Sequence, residues 1–384
     1  MSKQILLLGT SNFQHLYNYI RIVLKDVPDG EIVILNTSYA EITLKEIKDF
    51  YKERKIKIVN IPNPMIIKNK YLKSLLLVVE SKKQLKQLGE FDYCLIHYIS
   101  WQHAYLSWKF RKNFRRIVPI TYGSDILRSK KLKSRLYQRL FDSAHRIVFN
   151  TNNMKESFEK VFNKKYADKS EIIYFPTSSF GLLENMKKDV SVESLKNHYS
   201  LPQDKLIVLC GHTATVAERY EKMIVEIAKC NKLILEKCHF VFFMTYGPGN
   251  IKPYRDKIKA LLKNQSFRYT IQIEYLAYND ILKYHLISDI HITTIETDAF
   301  SFFLQEELFT GSAVIYGKWL NYIELFRYGF KVFPFDGFEE LSTTITQVVE
   351  RIDMIKEETM KNEHLIAKLT SEEATYNNWK NKIF

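Results

Sequence analysis

The feature that most constrains this chain is an alternation that runs, pauses and starts again. Short apolar strand candidates stand at Gln4–Leu8, Glu31–Leu35, Ile56–Val59, Tyr93–His97, Ile117–Thr121, Arg146–Phe149 and Ile172–Phe175. Amphipathic runs such as Phe13–Lys25, Leu44–Lys55 and Leu72–Leu88 separate them. A strand–helix–strand rhythm with apolar strands predicts a parallel sheet covered on both faces. The rhythm stops after Phe175-Pro176 and through the polar stretch Glu184–Asp204, which reads as a linker. It restarts at Lys205–Leu209, Phe240–Thr245, Ile271–Tyr275, Asp289–Thr293, Ala313–Tyr316 and Lys331–Pro334. Two α/β domains are therefore expected, over residues 1–180 and 181–370, with a final helical segment at 371–384.

The bulk composition agrees with two folded domains. The 384 residues suffice for two cores, and 46% hydrophobic with 14% aromatic content excludes a disordered chain. Cys94, Cys210, Cys230 and Cys238 show no metal-ligand spacing and read as buried thiols of a reducing compartment. Met1 runs straight into an apolar strand without signal-peptide architecture, and no apolar run approaches the ~18 residues a bilayer crossing needs. The expectation is a cytoplasmic protein.

The net charge of +14 is lopsided. Residues 1–185 hold 32 basic and 17 acidic residues, whereas the remainder is nearly neutral. The densest part, Lys109–Arg146, includes Arg115, Arg116, Lys130 and Lys131, interleaved with Tyr105, Trp108, Phe110, Phe114 and Tyr137. That mixture suits an anionic membrane surface, where cations meet lipid phosphates and aromatics settle at the interface. It also suits nucleic acid. A third reading is a solvated basic face without function.

The richest local pattern lies late in the chain. Asp298 and Glu306 stand eight positions apart, with Phe300 and Ser301 after the first and a helix stop at Gly311 before the strand Ala313–Tyr316. A loop, a helix and a glycine stop between strands present polar groups at the carboxyl edge of a parallel sheet. The pattern resembles the E-x-F-G-x-x-x-x-E signature of retaining glycosyltransferases of family 4. Asp298 stands for the first glutamate, Phe300 matches, Ser301 replaces the glycine, and Glu306 and Gly311 match. Glu307, beside the second carboxylate, is expected to point elsewhere on the helix. The resemblance implies the GT-B fold: two Rossmann-like doubly wound domains facing across a cleft, the first binding acceptor and the second binding the nucleotide-sugar donor. It also implies that the C-terminal helix returns to the first domain, where Tyr376, Trp379, Ile383 and Phe384 could anchor it. A simple amphipathic tail is the other reading.

Further candidates follow in the donor half. Gly211-His212-Thr213 comes after a strand and before a helix, where backbone N–H groups can cradle a diphosphate. The arginine–lysine clamp of family 4 is absent here, and Arg219 and Lys222 are the substitutes considered. This turn resembles that of bacterial lipid-linked fucosaminyltransferase-like sugar transferases. So do Tyr246 with Gly247, and the segment Gly317–Tyr322, whose Trp319 and Tyr322 read as core or lid residues. Tyr278 falls where the family holds the nucleotide base, and Asp280 reads as a helix N-cap.

In the acceptor half, Gly9-Thr10 forms a glycine turn expected to line the donor-phosphate side of the cleft. It is not a dinucleotide fingerprint, so no such cofactor is expected. Thr121-Tyr-Gly-Ser-Asp125 resembles a family 4 segment in which Tyr122 replaces histidine. That leaves Asp125 as the polar candidate or a simple cap, and His97 as a structural residue.

A sugar transfer needs carboxylates near a positively charged sugar and positive dipoles near the departing diphosphate. The expected function is therefore a hexosyltransferase-type glycosyltransferase of polysaccharide biosynthesis. It would take a nucleotide sugar and a lipid-linked or cell-surface glycan acceptor, with retention. It would be peripheral on the inner face of the cell membrane, with no cofactor and no nucleic-acid partner. No D-x-D motif exists, so no metal is required by sequence. The alternative is a non-catalytic GT-B-like subunit that presents an acceptor to a true transferase.

Overall fold

The computed structural model describes residues 3–9, 14–39, 42–64, 67–127, 133–247 and 249–384. The chain divides into two compact units, Met1–Pro176 with Glu372–Phe384, and Thr177–Ser371. Each is built on one parallel sheet covered by helices.

The first sheet contains β1 (Ile5–Gly9), β2 (Ile32–Asn36), β3 (Lys57–Asn60), β4 (Phe91–His97), β5 (Phe114–Ile120), β6 (Ile147–Phe149) and β7 (Ser170–Ile172), in the order β3-β2-β1-β4-β5-β6-β7. The second contains β8 (Leu206–Cys210), β9 (Cys238–Phe243), β10 (Tyr269–Gln272), β11 (Ile290–Thr293), β12 (Ala313–Gly317) and β13 (Phe333–Phe335), ordered β10-β9-β8-β11-β12-β13. Both are doubly wound: the chain starts mid-sheet, builds outward one way, then returns and builds the other. The point of reversal lies between β1 and β4 in one unit and between β8 and β11 in the other. Ligands of such sheets bind at the carboxyl ends of those strands.

The expected strands all form, with ends shifted by a few residues. Central strands such as β1 and β9 are buried throughout, so they carry unbroken Leu, Ile, Val and Phe. The polar stretch Glu184–Asp204 is not an extended linker. It forms most of helix Phe180–Asp189 and the helix Val192–His198, the latter capped by Ser191 Oγ accepting from Ser194 N. Two buried leucines, Leu195 and Leu201, tie this stretch to the apolar cluster of Ile207, Leu209 and Val241.

The final helix, Glu372–Lys382, completes the first unit. Trp379 is buried edge-on against Tyr19, with ring centres 4.9 Å apart, and Phe384 packs on Tyr93 at 5.1 Å. Thr375 Oγ1 donates to the Tyr174 carbonyl and Arg21 pairs with Glu372.

Candidate functional site

The point of strand reversal in the second unit is flanked by the loops after β8 and β11. The β11 loop ends in Asp298, Phe300 and Ser301 before helix Phe302–Thr310, which stops at Gly311 in the left-handed conformation. Phe300 takes the positive φ of 61°, whereas Ser301 has φ −57°. A serine is therefore compatible with the position where family 4 carries glycine, because the left-handed turn falls one residue earlier. Asp298 Oδ2 accepts from Ser301 N at 2.9 Å and from Tyr322 Oη at 2.7 Å. Oδ1 makes no bond to any described residue, and Asp298 is half-buried.

Glu306 is buried in the middle of the helix. Its Oε1 accepts from Ser179 Oγ at 2.7 Å and from Tyr278 Oη at 2.5 Å. Its Oε2 lies 3.0 Å from His285 Nε2, off the line of an ideal hydrogen bond. His285 Nδ1 is 2.5 Å from Glu307 Oε1, and Ser288 Oγ donates to Glu307 Oε2 at 2.7 Å. Burial alone would lower the His285 pKa, but the two carboxylates outweigh it and raise it to about 9. Burial likewise opposes Glu307, yet His285 holds that carboxyl below its usual value. The expectation that Glu307 points away from anything important is corrected. Leu304 through Phe309 are all buried, so this helix has no solvent face at Glu307.

The β8 turn is also different from expectation. Gly211 has φ +61°, and a Cβ there would run into the Tyr220 ring. The N–H groups of His212 and Thr213, expected to face a diphosphate, instead donate to Glu218 Oε1 at 3.3 and 3.0 Å. Thr213 Oγ1 adds a third bond at 2.8 Å, and His212 Nδ1 lies 3.1 Å away. A wholly buried internal carboxylate thus occupies the cradle. Arg219 directs Nε to the Thr294 carbonyl (2.7 Å) and Nη2 to that of Ile295 (3.0 Å), and stacks 4.3 Å from Trp319. Trp319 Nε1 donates to the same Ile295 carbonyl at 2.8 Å. Lys222 lies 5.2 Å over the Phe338 ring. Asp280 is not an N-cap: the cap is Ala277, and Asp280 pairs with Lys283 at 2.9 Å one turn in.

Tyr246 links these groups. Its half-exposed phenol is pushed up first by burial and then by Glu218, Tyr275, Asp298 and Glu306. Three carboxylates thus act on one tyrosine, with Tyr278 and Tyr322 hydroxyls already on two of them. The surroundings can accept hydroxyl donors and stabilise positive charge. Composition gave no signal for Glu218, His285 or Ser179, whose roles depend on tertiary contacts.

In the first unit, Gly9 ends β1, and its carbonyl accepts from Thr37 N at 2.8 Å. Thr10, Lys130 and Lys131 lie outside the described residues. Asp125 is buried: Oδ1 accepts from Tyr122 N and Gly123 N, both at 2.9 Å, and Oδ2 from Ile99 N at 3.0 Å. Both oxygens brace two loops, so the catalytic role expected of Asp125 finds neither one open. His97 Nδ1 lies 2.7 Å from Tyr122 Oη, and burial lowers its pKa to about 3. Arg115 pairs with Asp92 at 3.0 Å, and Arg116 reaches Tyr93 Oη at 2.5 Å. Phe110, Phe114 and Tyr137, expected among the surface aromatics, are core residues.

The two doubly wound parallel units, with the point of reversal presenting polar groups in each, are the GT-B architecture. Solved structures of that architecture match nearly the whole chain. Alr3699/HepE of Anabaena, solved in complex with UDP-glucose, is 15% identical with a TM-score of 0.70, covering 99% of both chains. Sucrose-phosphate synthase of Thermosynechococcus elongatus is 13% identical with a TM-score of 0.72, over 99% of this chain and 98% of its own. The lipopolysaccharide outer core galactosyltransferase WaaB, in its apo form, is 14% identical with a TM-score of 0.67, covering 99% of both. The sequence matches no family model and no curated protein.

Proposed function

We propose that this chain is a glycosyltransferase that moves a hexosyl group from a nucleotide-sugar donor to a lipid-linked or cell-surface polysaccharide acceptor. One observation carries the reading. Asp298 and Glu306 follow β11 at the point of strand reversal, and each already binds hydroxyl groups, from Tyr322 and from Ser179 and Tyr278. Sugar and ribose hydroxyls are the same kind of donor. The likeness to a fold that holds UDP-glucose in HepE supports a uridine nucleotide as first trial.

In this reading Glu306 holds ribose or sugar hydroxyls, exchanging Tyr278 Oη for a ligand hydroxyl, while Asp298 offers Oδ1 to the sugar. Their charges favour the oxocarbenium-like state. With the Gly211–Thr213 N–H groups committed to Glu218, the leaving diphosphate falls to the remaining Arg219 nitrogen and Lys222. Retention, independence of metal and attachment to an anionic membrane on the cytoplasmic side complete the proposal. The N-terminal unit would take the acceptor. No helix among the described residues is long and apolar enough to cross a membrane.

Thermal shift against UDP and UDP-sugars, followed by donor hydrolysis with and without EDTA, tests it. Stabilisation by a nucleotide sugar and turnover insensitive to EDTA are expected. No stabilisation by any nucleotide sugar would overturn it, and loss of turnover with EDTA would remove metal independence. A second reading, a non-catalytic acceptor-presenting subunit, is favoured by one fact: Glu306 and Asp125 have both oxygens engaged within the protein. Binding without any donor hydrolysis would select it.

A further inference from the structure

Helix Lys70–Leu88 of the first unit carries an exposed apolar stripe that its own packing does not use. Its inner side buries Leu77, Val78, Ser81 and Leu85. On the outer side, Tyr71 is 86% exposed, Leu72 46%, Leu75 54% and Val79 46%. Single exposed leucines are ordinary, but four large apolar residues on one face of one helix form a patch. At ~100° per residue, Leu72, Leu75 and Val79 fall on one line with Lys68 before them and Lys83 and Lys86 after. All three lysines are exposed, and Lys83 also reaches Glu80 at 2.6 Å. Residues 68–88 hold six lysines against that single glutamate. Asn69 Oδ1 caps the helix start by accepting from Tyr71 N and Leu72 N, so the stripe begins on a fixed turn.

We infer that this face docks on an anionic lipid surface, with Tyr71, Leu72, Leu75 and Val79 entering the interface and Lys68, Lys83 and Lys86 meeting lipid phosphates. The charge complementarity selects the occupant. An apolar protein partner would not need cations at both ends of the stripe, whereas an anionic bilayer attracts each of them. The region first expected to meet the membrane fits less well. Its Phe110, Phe114 and Tyr137 are buried, and Arg115 and Arg116 are engaged with Asp92 and Tyr93. The inference rests on the membrane part of the proposed function and locates it on one element.

The test is co-sedimentation with vesicles of phosphatidylcholine alone and of phosphatidylcholine mixed with phosphatidylglycerol. Three proteins are compared: the full chain, the triple variant Leu72→Ser, Leu75→Ser, Val79→Ser, and the pair Lys83→Glu, Lys86→Glu. These positions are exposed, and circular dichroism checks that both variants fold. The full chain should bind the mixed vesicles, with binding reduced by added salt. Each variant should lose on the order of tenfold or more in partitioning, given the contribution of each basic and each apolar side chain at the interface. Failure of the unaltered chain to bind mixed vesicles would overturn the membrane reading and this inference together. Binding by the chain that both variants retain would overturn only the helix, as would loss confined to Arg115→Glu with Arg116→Glu. A self-associated chain that the triple variant dissociates, with vesicle binding unchanged, would assign the stripe to a second copy instead.

Discussion

Glu307 and His285 form a buried ion pair in the second unit, with Glu307 Oε1 2.5 Å from His285 Nδ1 and both side chains out of solvent. The same imidazole faces Glu306 through its other nitrogen. One cation thus stands between two carboxylates on adjacent positions of one helix, and it fixes where both of them point.

This pair makes stability depend on pH at both ends. His285 has a folded pKa of about 9, above the ~6.5 of an unfolded histidine, so its contribution is full below ~6.5 and fades as pH rises through about 9. Glu307 is shifted the other way, so its contribution is present above the ordinary glutamate range and fades as pH falls through its lowered pKa. Glu307→Gln should cost on the order of 3 kcal/mol, as for breaking a buried pair. It should also start the alkaline fall in melting temperature at lower pH, because the main upward pull on His285 is gone. Melting curves from acid to alkaline pH check both outcomes.

Glu306→Gln retains size and removes charge. Donor transfer should fall by about two orders of magnitude, the scale of one preorganised electrostatic contact. Asp298→Asn should lose less, its side chain being one methylene shorter than the family's glutamate. Rates measured with the donor that stabilises the protein decide this, and an unimpaired Glu306→Gln would remove Glu306 from the site.

Gly211→Ala tests the β8 turn. The position has φ +61°, and the new methyl would meet the Tyr220 ring, whose hydroxyl lies 2.6 Å from the Phe243 carbonyl. Strain and displacement together should cost roughly 1–3 kcal/mol. Urea denaturation measures it, and a variant as stable as the parent would show that the turn can relax.

The alternation of strands was legible because buried parallel strands need unbroken apolar runs, as Ile5–Leu8 and Phe240–Phe243 show. The placement of Asp298 and Glu306 after β11 was legible for the same reason: strand, loop, helix and glycine stop follow in order. What those carboxylates bond to was not. Glu218 reaches back five and six residues to a turn, and His285 meets Glu306 from a different helix, contacts that no spacing announces. The polar stretch after Pro176 misled because Leu195 and Leu201 alone anchor it among lysines, serines and glutamates.

Trp379→Ala tests the closing helix. The indole is 1% exposed and packs against Tyr19. Removing so large a buried ring should cost about 3–5 kcal/mol. The loss should fall on the first unit, so hydrogen exchange should rise at β1 and helix Gln14–Val23 before it rises at β8 or β9.

Domains of a growing chain are generally finished in the order in which they emerge. Here that order is reversed. The segment up to Pro176 leaves the ribosome first, yet it lacks Trp379 and Phe384 until the last thirteen residues, Glu372–Phe384, have been made. The Thr177–Ser371 unit carries all its own strands and can close while its predecessor waits. A ribosome that stops short of the C-terminus therefore leaves the later half folded and the earlier half unsealed, which makes the final helix a checkpoint on complete synthesis.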